Sequence, residues 1–318
     1  MTRKKIIFDT DPGIDDAMAL LFAQRSSAIE LLGVTTVLGN ASIETVTRNA
    51  LYLCERFEID APVHQGAACA LLGGIDEYPT FVHGDDGLGN IQPSIPKTTV
   101  ATGAAAQFIV DTVLKNPGEI TLVAVGRMTN LALALRLEPS ISKLVKEVVI
   151  MGGALGSNEF TGNVTPVAEA NIHGDTHAAD IVLSADWPLV MVGLDVTMQT
   201  IMLQEQTQRI RETAGDVGQF IWDISRFYEN FYRDSRGTAG FPMHDSSAVA
   251  YVIDPQLFTT ISGAIRVTTG GISKGHTILV PGDSKFPLGE WDGVCPSRGC
   301  VGVDSQALLE LYEKTIVG

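Results

Sequence analysis

Cysteine, basic residues and long apolar runs are all scarce in this chain. Four cysteines occur in 318 residues: Cys54, Cys69, Cys295 and Cys300. That number does not make a disulfide framework in a chain of this length. Cys295 and Cys300 lie close together, with Arg298 and Gly299 between them, but their spacing is not a zinc-ligand pattern. Free thiols in a reducing compartment are therefore expected, and the chain is read as cytoplasmic. The apolar stretch after Arg3-Lys4-Lys5 is too short for a signal peptide, and no run approaches a membrane span. Lys and Arg number 22 against 37 Asp and Glu, a net charge of −15. So acidic a surface repels phosphate backbones and anionic lipids. It argues against nucleic-acid and membrane partners and leaves a neutral small molecule open.

What the chain does have is apolar bulk, 45% of its residues, enough for a large core. Through the first two thirds, short apolar runs alternate with amphipathic stretches. Strands are expected at 5–8, 29–37, 120–125, 147–151 and 189–194, with another beginning at Pro62 and Val63. Helices are expected at 14–24, 42–57, 102–114, 129–137 and 175–184. In the first of these, Ile14, Ala17, Met18, Leu21 and Phe22 share one face. The last third changes character, with helices at 217–233, 246–252 and 305–314 and strands at 258–269 and 277–280. The β-α-β-α order implies an α/β fold, a mostly parallel, doubly wound sheet flanked by helices. No linker, repeat or low-complexity segment divides the chain, so residues 1–318 are read as one domain. Ligands of such sheets bind beyond the carboxyl ends of the strands.

The strongest local signal follows the first strand: Asp9-Thr10-Asp11-Pro12-Gly13-Ile14-Asp15-Asp16. Four carboxylates packed together repel one another, and a hard cation with all-oxygen ligands, calcium or magnesium, relieves this. The start of a helix also favours ionised Asp15 and Asp16. Neighbours on a helix point about 100° apart, so one of this pair can face a metal and the other a substrate. Helix capping explains one or two of these residues but not Asp9 and Asp11, which precede Pro12. An apolar strand followed by Asp-x-Asp also opens the haloacid-dehalogenase-like phosphotransferases, whose first Asp is a nucleophile. Gly13 stands where that pattern has Thr or Val, and the downstream Lys and late acidic pair do not stand out.

Three further segments place polar groups at expected strand ends. They are Val37-Leu38-Gly39-Asn40; Met151-Gly152-Gly153 leading to Asn163 through Asn171; and Met243-His244-Asp245-Ser246 before a helix. With the acidic loop, they make the chain resemble the nucleoside hydrolases of the inosine-uridine-preferring type. Glu44-Thr45-Val46-Thr47-Arg48-Asn49-Ala50, Arg136-Leu137-Glu138-Pro139, Val148-Val149-Ile150-Met151 and Val249-Ala250-Tyr251 extend the similarity over nearly the whole chain.

The resemblance implies a Rossmann-like sheet carrying one nucleoside hydrolase domain and a calcium-dependent cleavage of ribonucleosides to ribose and base. Calcium would be held by Asp11, Asp16, Asp245 and the carbonyl of Val125, in a shell of about seven or eight oxygens. Asp11 would be the general base toward water, and His244 the acid toward the leaving base. Asp15 and Asn171 would hold the 2′- and 3′-hydroxyls, and Asn163 and Glu169 the 5′-hydroxyl. Asn40 would orient an aspartate or the sugar, and Met151 would line the substrate site. His83 would lie on a Gly-rich loop folded over the base. A homo-oligomer, dimer or tetramer, is also implied.

Tyr228, Tyr232 and Arg236 recur at steps of four on one helix face. The resemblance gives that triplet to enzymes accepting inosine and uridine, whereas pyrimidine-preferring relatives carry Thr, Gln and Tyr. Packing of Tyr228 in the core is the competing structural reading. Ala170, Arg127, Met128 and the pair Asp85-Asp86 depart from the family pattern. None is an implied metal ligand or base, so they bear on base choice and rate. A pyrimidine-preferring hydrolase and a non-catalytic nucleoside binder are the other readings.

Overall fold

In a computed structural model that describes residues 3–73, 77–282 and 286–318, the apolar runs form strands and the amphipathic runs form helices. The chain begins β1 (Lys4–Thr10), α1 (Ile14–Arg25), β2 (Ile29–Thr36), α2 (Ile43–Arg56), β3 (Val63–Gln65) and α3 (Thr80–His83). It continues α4 (Ala105–Lys115), β4 (Ile120–Ala124), α5 (Thr129–Leu137), α6 (Ile141–Leu144) and β5 (Glu147–Met151). Then come α7 (Ala170–Gly174), α8 (Thr176–Leu183), β6 (Leu189–Val192), α9 (Leu194–Thr197), β7 (Ile201–Met202), α10 (Gln204–Thr213) and α11 (Gly215–Arg236). The last part is β8 (Phe241–Pro242), α12 (His244–Ile253), β9 (Phe258–Val267), β10 (Thr277–Pro281), β11 (Pro296–Val303) and α13 (Ser305–Val317).

Nine strands form one sheet in the order β10-β9-β11-β6-β5-β4-β1-β2-β3. From β11 to β3 every pairing is parallel, and β9 runs against both of its neighbours. Side chains alternate across the sheet. Ile6 and Phe8 of β1 pack among α1, α11, α12 and α13, while Ile7 packs among α4, α5 and α8. Both faces are thus covered, which is why the central strands read as continuous apolar runs. From β1 the chain moves to β2 on one side and only later to β4 on the other. The crevice between the carboxyl ends of β1 and β4 is therefore a topological switch point, where α/β sheets bind ligands. Among the described residues, no helix is long and apolar enough to cross a membrane.

Several elements differ from the sequence reading. α1 is not a one-faced helix: Ala19, Leu20 and Ala23 are also buried, because α12 and α13 close over its outer side. The helix expected from 102 begins at Ala105, and the strand expected to 194 ends at Val192, where Gly193 opens α9. The helix expected from 246 begins at His244, so His244 and Asp245 lie in its first turn rather than before it. The helix expected at 217–233 extends from Gly215 to Arg236 and takes in all three residues of the Tyr-Tyr-Arg face. β11, with Pro296, Gly299 and Gly302, was not anticipated, and neither was α10.

Candidate active site

The acidic loop leaves β1 at the switch point. Asp9 is still in the strand and is buried. Its Oδ1 accepts from Thr35 Oγ1 at 2.5 Å and from Asn130 Nδ2 at 2.7 Å. Burial raises its pKa to about 7. It does not join the other carboxylates, and a nucleophile there, as the phosphotransferase reading required, would be walled off by Thr35 and Asn130. That reading is set aside.

Asp11 is buried against backbone. A β-carbon at Gly39 would stand 1.9 Å from its Oδ2, and one at Gly126 would stand 2.4 Å from its Oδ1. Only glycine lets the loops after β2 and β4 come so close. Oδ2 accepts the Asn40 N–H at 2.8 Å, and Oδ1 is buried without a hydrogen-bond partner among the described residues. Asp16, in the first turn of α1, is saturated. Its Oδ1 accepts from Thr10 Oγ1 at 2.6 Å and the Asp11 N–H, and its Oδ2 accepts the Gly13 N–H and Asn40 Nδ2. It therefore serves as a helix cap and as a fixed anion at once. Asn40 spans both aspartates.

Asp15 is partly buried. Its Oδ2 accepts from the Tyr228 hydroxyl at 3.1 Å, and its Oδ1, like Asp11 Oδ1 and Asp9 Oδ2, is a buried carboxylate oxygen without a hydrogen-bond partner among the described residues. Carboxylate oxygens of Asp15, Asp16 and Asp245 lie within 4.8 Å of one another, a grouping that could hold a metal ion. Both neighbours on α1 thus reach one cluster, Asp16 held by four hydrogen bonds and Asp15 by the one from Tyr228. Asp11 stands beside this set through its N–H to Asp16. Desolvation and mutual repulsion raise the pKa of Asp11 and Asp245 well above the usual carboxylate range, and burial raises Asp15 to about 6. Orphaned anionic oxygens, crowded like charges and an all-oxygen donor set fit a hard divalent cation.

The remaining residues gather around the same spot. Met151, at the end of β5, and Val125, after β4, line the pocket. Asn171 Nδ2 donates to the carbonyls of Val125 at 2.7 Å and Met151 at 3.2 Å. Glu169 caps α7: its carboxylate accepts the N–H groups of Gly153, Asn171 and Ile172. Asn163 Oδ1 accepts the Ala170 N–H, so one side chain ties the two ends of that loop. His244 is buried, with Nδ1 2.8 Å from Thr197 Oγ1 and Nε2 2.8 Å from the Tyr232 hydroxyl. Desolvation, then Arg236 and His83, lower its pKa to about 3, so it is a neutral imidazole near pH 7. His83 was expected on a loop. It ends the short helix α3 and is buried, its Nδ1 accepting the Ile14 N–H at 3.2 Å. Desolvation lowers its pKa to about 4.

These groups line a pocket of about 300 Å³, the size for a small ligand. Its floor is Asp15, Asp245, Asn40, Asn171 and Glu169, and its rim is Tyr228, Tyr232, Arg236, His244 and His83. Asp11 and Asp16 lie beneath the floor. The sequence reading missed Pro79, Phe81, Val82 and Phe231 on the rim. The apolar segment before His83 was the available signal for the first three. Thr197 and Thr10, which hold His244 and Asp16, carried none.

The sequence model of the inosine-uridine preferring nucleoside hydrolases matches residues 6–310. A probable uridine nucleosidase of Oryza sativa subsp. japonica is 38% identical over 317 residues, 99% of this chain and 97% of that protein. An inosine-uridine preferring nucleoside hydrolase of Leishmania major is 41% identical over 288 residues, 89% of each chain. The solved structure of a plant nucleoside hydrolase superposes with a TM-score of 0.96 at 35% identity, covering 100% of both chains.

Proposed function

Since the chain belongs to the family of inosine-uridine preferring nucleoside hydrolases and is a ribonucleoside N-ribohydrolase, we propose that it is calcium-dependent, with Asp11 as general base and His244 as leaving-group acid. The observation that carries this reading is the pair of buried, unpartnered oxygens, Asp11 Oδ1 and Asp15 Oδ1, beside Asp16 and Asp245 at the switch point. Asp11, Asp16, Asp245 and the Val125 carbonyl would hold the ion. Calcium, when bound, fixes the sugar hydroxyls and lowers the pKa of water.

The chain's own groups then have separable tasks. Asp11, clamped between Gly39 and Gly126, takes the proton of the water that attacks the anomeric carbon. The oxocarbenium-like transition state is positive, and the carboxylate floor stabilises it. Asp15 and Asn171 hold the 2′- and 3′-hydroxyls, and Asn163 and Glu169 hold the 5′-hydroxyl. Asn40 orients Asp11 and Asp16, and Met151 lines the sugar side. Pairing of these buried groups with hydroxyls favours ribose over deoxyribose. As the bond to the base breaks, His244, held between Thr197 and Tyr232 and protonated from solvent for this step, gives its Nε2 proton to the Tyr232 hydroxyl as that hydroxyl gives its own to the base, and the ring returns to its neutral form. His83 closes the base side, and the Tyr228, Tyr232 and Arg236 face supports acceptance of both inosine and uridine. Scarce cysteine supports a reducing, cytoplasmic setting, and family membership supports a homo-oligomer.

The test is ribose release from inosine, uridine, cytidine, adenosine and deoxyuridine, with and without a calcium chelator. Release from inosine and uridine, abolished by chelation, is expected. Release from uridine and cytidine alone would give the pyrimidine-preferring reading instead. No release with calcium present would leave a nucleoside binder.

A further inference from the structure

The side chain of Tyr228 does not point freely at the space for the base. It lies in the middle of α11, is 2% exposed, and gives its hydroxyl proton to Asp15 Oδ2. Its ring is boxed in. His83 stacks against it at 5.7 Å and 28°, Tyr232 meets it edge-on at 5.0 Å, and Phe241 lies tilted at 5.5 Å. The phenol therefore cannot swing away from Asp15 without displacing three packed rings. One oxygen of Asp15 is held from α11, and the other, Oδ1, is left buried and unpartnered among the described residues.

We propose that Tyr228 is a positioning residue for Asp15, so that the base-side helix helps to set the preference for ribose over deoxyribose. This rests on the reading of Asp15 as a sugar-hydroxyl ligand. A carboxylate with both oxygens free can rotate about its Cβ–Cγ bond. The Tyr228 hydrogen bond removes that freedom and leaves Oδ1, 3.9 Å from His83 Nδ1, as the oxygen open to a ligand. A hydrogen bond to a charged group is strong enough for its loss to be read in catalysis. Tyr228 thus differs in role from its neighbour Tyr232, whose hydroxyl meets His244.

The experiment is Tyr228→Phe, which keeps the ring and removes only the hydroxyl. It is assayed on inosine, uridine, 2′-deoxyuridine and 3′-deoxyuridine, with enzyme raised until the slow substrates are measurable. The kcat/KM for both ribonucleosides should fall about tenfold. The penalty should vanish on whichever deoxynucleoside lacks the hydroxyl that Asp15 holds. In the background of Asp15→Asn, adding Tyr228→Phe should cost nothing further. Calcium titration of the substrate-free variant by calorimetry should match wild type within about twofold. A penalty that follows the base, or persists on both deoxynucleosides, would overturn the proposal, as would weakened calcium binding. If wild type releases no ribose from any nucleoside, the hydrolase reading itself has failed. If wild type is active and only the ribose preference of the variant is intact, this inference alone has failed.

Discussion

At the floor of the pocket, Asp11 is gripped by Gly39, Gly126 and the Asn40 N–H, and Asp16 accepts four hydrogen bonds. Across the pocket, Phe81 of α3 is 68% exposed and lies tilted against Phe231 at 5.9 Å. The floor is built from backbone amides and short side chains at strand ends, so its geometry is over-determined. The rim is built mostly from rings on three helices, α3, α11 and α12, that touch through side chains. On the proposed reading, a site of this design would hold the sugar and the reacting carbon rigidly and let the base-binding wall vary without disturbing the chemistry. Tyr228 to Asp15 is the hydrogen bond by which α11 reaches a floor carboxylate.

This contrast can be broken from either side. The largest effect is expected from Asp11→Ala, a loss of about 10²- to 10⁴-fold in ribose release for every base alike. A loss confined to one base would erase the distinction between floor and rim. Next comes Gly39→Ala, whose new β-carbon would occupy the position of Asp11 Oδ2. A displacement of that kind costs on the order of hundredfold in kcat, and steady-state kinetics on uridine should show it for every base equally.

The third test is electrostatic. Asp11, Asp15 and Asp245 have folded-state pKa values raised by burial, so the fold holds protons there that the unfolded chain has released, and stability falls as pH rises. His83 and His244 are lowered to about 4 and about 3, so they act in the opposite sense between those values and their ordinary range near 6.5. Above pH 6.5 the histidines no longer oppose, and the chelated protein should lose stability up to pH 8. Saturating calcium should reduce that slope to the part that Asp9, raised to about 7 and outside the metal group, contributes, and add about 2.7 kcal/mol at a hundredfold excess over Kd. Urea denaturation at pH 6.5 and 8, with chelator or calcium, measures both. A chelated protein whose stability does not change with pH would mean the carboxylates are not the strained groups. The smallest effect is expected from Phe81→Ala. Its KM should rise about two- to tenfold, unevenly between inosine and uridine, with kcat nearly kept. An equal loss for both bases would show that the rim is less adaptable than its exposure suggests.

The floor was legible in the sequence because its residues are local. Asp11, Asp15 and Asp16 share one loop, and a strand-to-helix junction dense in carboxylates has few physical explanations. Asn40 and Asp245 were marked only as polar residues at expected strand ends, and their roles came from the resemblance, since no periodicity marks them. The rim was half legible. The steps of four from Tyr228 to Arg236 gave the face of α11, but not that Tyr228 turns toward Asp15, because that contact spans 213 residues. The glycines that admit Asp11 read only as turn formers, since close approach leaves no mark in one sequence. β11 went unseen because glycine weakens strand propensity, and pairing with β6 and β9 overrides that preference.

The enclosure of α1 has a consequence for how the protein is made. Asp15 and Asp16 sit at the start of a helix whose far side is packed by residues from the end of the chain. Tyr312 of α13 lies tilted against Phe22 at 4.9 Å, and its hydroxyl donates to the Met18 carbonyl at 3.5 Å. During synthesis, α1 leaves the ribosome well before α12, and α13 follows it by nearly 300 residues. The carboxylates on α1 therefore emerge long before the helices that enclose them, and a nascent chain stalled before α12 would lack Asp245 as well. Ion binding of the kind proposed would thus wait until α12 has been made.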